Sequence, residues 1–216
     1  MQWDILWKTA VLTVIVFIIG IGAGMFLDVS RVTETSARLT EIDLQWNDAR
    51  LQSLYYSTLN DTASCDAAIQ ANLDFNGRIY AEGQTIERYE SINRFAPQLL
   101  QEKKRYALLQ LQFWLNSIEL KKRCGAGYTT VAYFYSHYDQ SLEMDQKLQS
   151  AVLLQLKEKC GDSVLLVPLP LDMGLTSIEL LKGTYGISAA PSILVNESKL
   201  LRGVQGLPQM EALVKC

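Results

Sequence analysis

The chain has 216 residues, 49% of them hydrophobic and 20% charged, which is too apolar for a disordered segment and long enough for one domain with appendages or two small domains. A net charge of -3 lacks the basic footprint of a nucleic-acid binder. One histidine, His137, excludes a multi-histidine metal centre, and four widely separated cysteines, Cys65, Cys124, Cys160 and Cys216, contain no CxxC, so neither a metal nor a cofactor is expected.

Residues 9–27, between Lys8 and Asp28, form an uncharged run of 19 residues. As a helix at ~1.5 Å per residue it matches the ~30 Å hydrocarbon core of a bilayer. A cleaved signal peptide is the competing reading, but its apolar region is usually only ~7–15 residues long. Trp3 and Trp7 suit the interface at one end, and Gly20 and Gly24 form a GxxxG on which a second anchor can pack, giving a homodimer. Lys8 lies before the span and Arg31 and Arg38 after it, so the positive-inside rule scarcely discriminates. An anchor of this kind at the extreme N-terminus behaves as an uncleaved signal sequence. The expectation is a single-pass membrane protein with an extracytoplasmic soluble region.

From Asp28 to Arg123 the pattern is helical. Leu39, Ile42, Trp46 and Ala49 recur at spacings of three and four, a narrow stripe in need of a partner. A second helical stretch starts near Thr62 and includes Ile69, Leu73, Ile79, Ile86 and Tyr89. A third runs from Pro97 through Tyr106, Leu109, Phe113 and Ile118 to Cys124. Pro97 suits its first turn, Lys121, Lys122 and Arg123 its last, and Gly125 its stop. Residues 28–96 carry a net charge of -5 and 97–124 a net +4, which favours pairing of the two as an antiparallel hairpin, although exposed pairs are worth only ~0–1 kcal/mol each. With the turn near residues 94 and 95, Cys65 and Cys124 stand level at the open end, and a disulfide there would be worth ~4 kcal/mol in the chain-entropy model. The alternative is two buried free thiols. A bridged hairpin would carry the C-terminal domain as a stiff stalk.

After residues 125–127 the period changes. Thr129 to Tyr135, TTVAYFY, reads as a buried strand, followed by a helix from Ser141 to Cys160 ended by Gly161. Val164 to Val167 reads as a second strand, parallel to the first through a right-handed crossover. A short helix through Ile178 to Lys182 follows. Ser192 to Val195 and Lys199 to Val204 then read as an antiparallel pair turning at Asn196-Glu197, and a helix from Pro208 to Val214 ends the chain. Asn60-Asp61-Thr62 and Asn196-Glu197-Ser198 have the form of glycan acceptors.

The segments FYSHYDQS, VLLVPLPLD, LLKGTYGISAAPSILV and LLRGVQGLPQMEALV together resemble the thioredoxin fold from its central strand to its last helix, over residues 128–216. The block YGISAAPSILV is similar to the family's YGVxxxPT segment. The resemblance implies a cis peptide bond before Pro191 and a fold class in which an α/β thioredoxin-like domain, 126–216, follows a transmembrane anchor, 1–30, and a coiled-coil-like helical hairpin, 31–125. It also implies that the helices ending in Cys160 and Cys216 lie on one sheet face and run the same way, so those cysteines could form a second bridge.

The family's CxxC would fall at Asp139 and Leu142, or at Tyr138 and Ser141, and neither register contains sulfur. Dithiol exchange at that loop is therefore excluded by its chemistry. Asp139 reads as a helix N-cap and His137 as an exposed loop histidine with no activated nucleophile beside it. The functional expectation is a redox-inactive, membrane-anchored binding or scaffolding module with no catalytic residue. Its degenerate loop, His137, Tyr138 and Asp139, together with Pro191, would hold another protein or an extended peptide. The alternative is an oxidoreductase partner using one of the four cysteines.

Overall fold

The computed structural model describes residues 7–26, scattered positions between 37 and 51, 62–92, and 97–216 except 215. Helix α1, Trp7–Phe26, is long and apolar enough to cross a membrane, and its side chains are exposed. The stripe of Leu39, Ile42, Trp46 and Ala49, the turn between the two long helices and the acceptor pattern at Asn60 lie outside the described residues. The described positions between 37 and 51 are helical, and Arg105 ties them to the fold by donating to the Asp43 carboxylate and the Thr40 hydroxyl.

Helices α2, Thr62–Ile92, and α3, Pro97–Cys124, form the hairpin. Cys65 and Cys124 are bridged at its open end, with Cα atoms 5.4 Å apart. Buried polar groups mark its register: Asn72 donates to the Ser117 hydroxyl at 2.9 Å, Asn116 donates to Asn72 at 3.1 Å, and the Tyr106 hydroxyl donates to the Ile79 carbonyl at 2.9 Å. A one-turn slip would bury these groups without partners, so they specify one alignment where apolar packing alone would tolerate several. Gly83 of α2 lets Tyr106 in; a Cβ there would overlap the phenol. Lys121 accepts the Gly125 N–H at its carbonyl, and Gly125, with φ of 65°, turns the chain into the sheet.

The sheet is mixed, in the order β2-β1-β3-β4, from β1, Thr129–Tyr135, β2, Val164–Pro170, β3, Ser192–Val195, and β4, Lys199–Arg202. Strands β1 and β2 are parallel, and β3 is antiparallel to both β1 and β4. Helix α4, Glu143–Cys160, makes the crossover, α5, Thr176–Tyr185, leads to β3, and α6, Leu207–Glu211, follows β4. Strand β2 is longer than the sequence pattern suggests and continues through Pro168 and Pro170. It sits at the sheet edge, where alternate residues turn their N–H positions outward, so prolines two apart cost no ladder bond. The last helix is shorter than expected, and Leu213 and Val214 follow it as irregular chain packed on the core.

Both sheet faces are covered, and β1 is accordingly buried from Thr129 to Phe134. Ala132 and Phe134 of β1 point to one face, with Leu165, Val167 and Leu194, and there meet Phe113 and Trp114 of α3 and Ile178 of α5. Val131 and Tyr133 point to the other, with Ile193 and Val195, against Leu153 and Leu156 of α4 and Met210. The hairpin is therefore no separate stalk. Its helix α3 lies on the sheet and shares one core with it, because Phe113 and Trp114, both wholly buried, are too apolar to leave uncovered.

Candidate functional site

The C-terminal ends of the parallel strands β1 and β2 lie side by side, Tyr135 opposite Pro170. Continuing the register that pairs Phe134 with Ser192 brings Pro191, buried and preceded by a cis peptide bond from Ala190, beside the same end of β1. Three loops thus meet at one edge of the sheet: 136–139 after β1, 171–175 after β2, and 186–191 before β3. Ligand crevices of open α/β sheets form at such strand ends.

Asp172 organises the first of these loops. Its carboxylate accepts from the Ser136 hydroxyl, from the His137 N–H at 2.7 Å and from the Tyr138 N–H at 3.0 Å. Partial burial pushes the Asp172 carboxyl up, but the hydrogen bonds from Ser136, Tyr138 and His137 outweigh it and hold it below its ordinary value. Ser136 accepts in turn from the Asp139 N–H at 2.9 Å, and Gln146 of α4 accepts the Ser136 N–H at 2.6 Å. Asp139 caps the 3-10 turn Gln140–Leu142 that leads into α4, accepting from the Ser141 N–H at 3.0 Å.

His137 is buried, not exposed as its loop position suggests, with 7% of its surface accessible. Helix α3 crosses the end of β1 and places Lys103, equally buried, with Nζ 3.0 Å from His137 Nδ1 and 5.9 Å from the centre of the Tyr135 ring. Where Lys103 donates in this contact, Nδ1 is the acceptor. This arrangement is no hydrolytic triad: Ser136 donates straight to Asp172, and the histidine nitrogen that would face an acid is held by Lys103. Tyr138, 52% exposed, leaves its ring at the surface beside the loop.

At the third loop, Ala189 is exposed and Ala190 half-buried. The Ala189 carbonyl accepts from Ser192 at 2.6 Å, whereas the backbone N–H and C=O of Ala190 make no hydrogen bond among the described residues. The structure thus gathers His137, Tyr138, Asp139 and Pro191 at one end of the sheet. Cysteine is absent from that end: Cys65 pairs with Cys124, and Cys160 with Cys216, whose Cα atoms are 4.6 Å apart. Sequence reasoning missed Lys103, Ser136 and Asp172 as parts of the site. Asp172 carried a usable signal, being the first charge after an apolar strand; Lys103 carried none.

No family model matches the chain, and no curated protein matches it. Among solved structures, one titled "Structure of a malarial protein" is similar, with 21% identity and a TM-score of 0.31, over 40% of this chain and 92% of that one.

Proposed function

We propose that the chain is a membrane-anchored thioredoxin-like protein that binds an extended polypeptide without reacting with it. The observation that carries the reading is the composition of the loop after β1. Where the resemblance calls for a dithiol, side-chain caps from Asp139 and Asp172 close the loop, while the backbone of Ala190 beside Pro191, which makes no hydrogen bond among the described residues, offers an extended chain a donor and an acceptor. Further support comes from the topology, in which α3 would stand as the fold's first helix, and from the strand order β2-β1-β3-β4. The pairing of all the described cysteines supports an oxidising compartment, with α1 retained as the anchor and the domain outside.

The test uses the full chain in lipid nanodiscs and a permanently unfolded, reduced and carboxymethylated α-lactalbumin labelled with a fluorophore. Binding is expected by anisotropy, with loss when Ala189→Trp crowds the edge, and no reduction of insulin disulfides is expected. Insulin turnover abolished by Cys160→Ser or Cys216→Ser would replace this reading with a cysteine-dependent oxidoreductase.

A further inference from the structure

Helix α4 has an unusual outer face. Its inner face buries Gln149, Leu153, Leu156 and Cys160 against the sheet. Directly opposite, Met144, Lys147, Ala151, Leu154 and Glu158 follow one another at spacings of three, four, three and four, which is the a/d repeat of a coiled-coil seam. A helix with one face in a core ordinarily turns polar residues outward. Here Met144 is 75% exposed and Leu154 39%, with Leu148 flanking them at 55%.

We infer that this face is a self-complementary interface through which α4 of one copy packs antiparallel against α4 of a second copy. In an antiparallel seam a positions meet d positions. Aligning Ala151 with the second copy's Leu154 sets a two-fold axis between them, so the same contact occurs twice. That register places Lys147 opposite the second copy's Glu158, again twice, which closes the apolar centre with opposite charges at both ends. A parallel alignment would set Lys147 against Lys147 and Glu158 against Glu158, so the charges choose the antiparallel one. Lys147 now reaches Glu143 at 2.8 Å, but both side chains are well exposed and such a pair is weak enough to exchange. The seam is short for copies diffusing freely in solution. Confinement of anchored copies to one membrane raises their effective concentration, a clause that rests on the anchor reading above. Neither peptide binding nor the loop chemistry enters the argument.

The test is zero-length carbodiimide cross-linking of the full chain in lipid vesicles, using a mixture of ordinary and 15N-labelled protein, followed by peptide mapping. Lys147 and Glu158 of one copy are ~16 Å apart along their helix, beyond the reach of such a link, so a 147–158 link reports a second copy. The link within one helix from Lys147 to Glu143 serves as the internal control. We expect a 147–158 link of mixed isotope composition, reduced about tenfold by Leu154→Glu, whose side chain faces outward and leaves the core intact. Lys147→Glu alone removes the amine and must abolish the link, whereas adding Glu158→Lys recreates an amine–carboxylate pair across the seam and should restore it. Failure of the double swap to restore the link overturns the interface. Absence of the link, or a link indifferent to Leu154→Glu, overturns the interface. Dimers that persist without the link overturn it too and assign association to Gly20 and Gly24 of the anchor. Loss of the protein from vesicles without detergent would instead defeat the anchor reading.

Discussion

The two faces of the sheet are closed by different means. On the hairpin face, α3 contributes Phe113 and Trp114 to the core, and its outer neighbour α2 is registered on it by Asn72, Ser117 and Tyr106. On the other face a single layer, α4 with α6 and the chain end, is held by Leu153, Leu156 and Met210, and the outer side of α4 leaves Met144, Leu148 and Leu154 exposed. Each face has one disulfide, closing sequence separations of 59 and 56 residues. The bridges are thus nearly equal in chain length while the layers they close are not, which separates the contribution of cross-linking from that of packing.

The most severe test of the hairpin face is Trp114→Ala. It empties a wholly buried site and leaves Glu197, which now accepts from the indole at 2.8 Å, without that donor. A loss of about 3–5 kcal/mol is expected in denaturant unfolding. Cys124→Ser and Cys216→Ser should each cost about 4 kcal/mol if loop closure dominates, since the loops differ by only three residues. A clearly larger loss at Cys216 would show that the thinner face depends more on its bridge. Gly83→Ala should cost about 1–3 kcal/mol by driving the Tyr106 phenol out of its place, with the thermal midpoint as readout. On the other face, burial pushes the Tyr133 hydroxyl up to about 12, so the folded state holds its proton longer than the unfolded chain. That stability is fully present below the ordinary tyrosine value near ~10 and is lost as pH rises toward 12, which alkaline unfolding followed at 295 nm would detect. The smallest effect belongs to the loop. Asp172→Asn should cost about 1–2 kcal/mol at neutral pH. Because the native carboxyl is held low, its contribution is present above the ordinary aspartate value near ~3.9 and fades only as pH falls below it; the variant should lack that acid limb.

Much of the scaffold was legible because its signals are local. Pro97, Gly125 and Gly161 mark helix ends that the structure repeats, and the level placement of Cys65 and Cys124 followed from equal helical rise on either side of one turn. Asp139 acts as the cap its position suggests. The site was less legible, because its geometry is assembled from far away. Lys103 reaches His137 across 34 positions and Asp172 reaches it across 35, and neither spacing has a period that local patterning could register. The prolines of β2 misled for a related reason: proline is a breaker by local rule, and only the strand's place at the edge removes the penalty. The hairpin read as a stalk because the amphipathic pattern of α3 shows that it needs a partner without showing that the sheet supplies one.

The turn between β3 and β4 has a consequence for modification of the chain. Asn196 and Glu197 both adopt positive φ, 48° and 55°, and the Asn196 side-chain oxygen accepts from Lys121 at 2.7 Å and from the Thr130 N–H at 3.2 Å. Although Asn196-Glu197-Ser198 spells an acceptor triplet, its amide is built into the joint between α3 and the sheet. A sugar on the amide nitrogen would have to be accommodated while the amide oxygen keeps its contacts to Lys121 and Thr130. The turn that spells the acceptor triplet is thus also the joint between α3 and the sheet, so the glycan state of Asn196 and the closure of that joint are expected to report on each other, which glycopeptide mapping of protein from a glycosylating host would show.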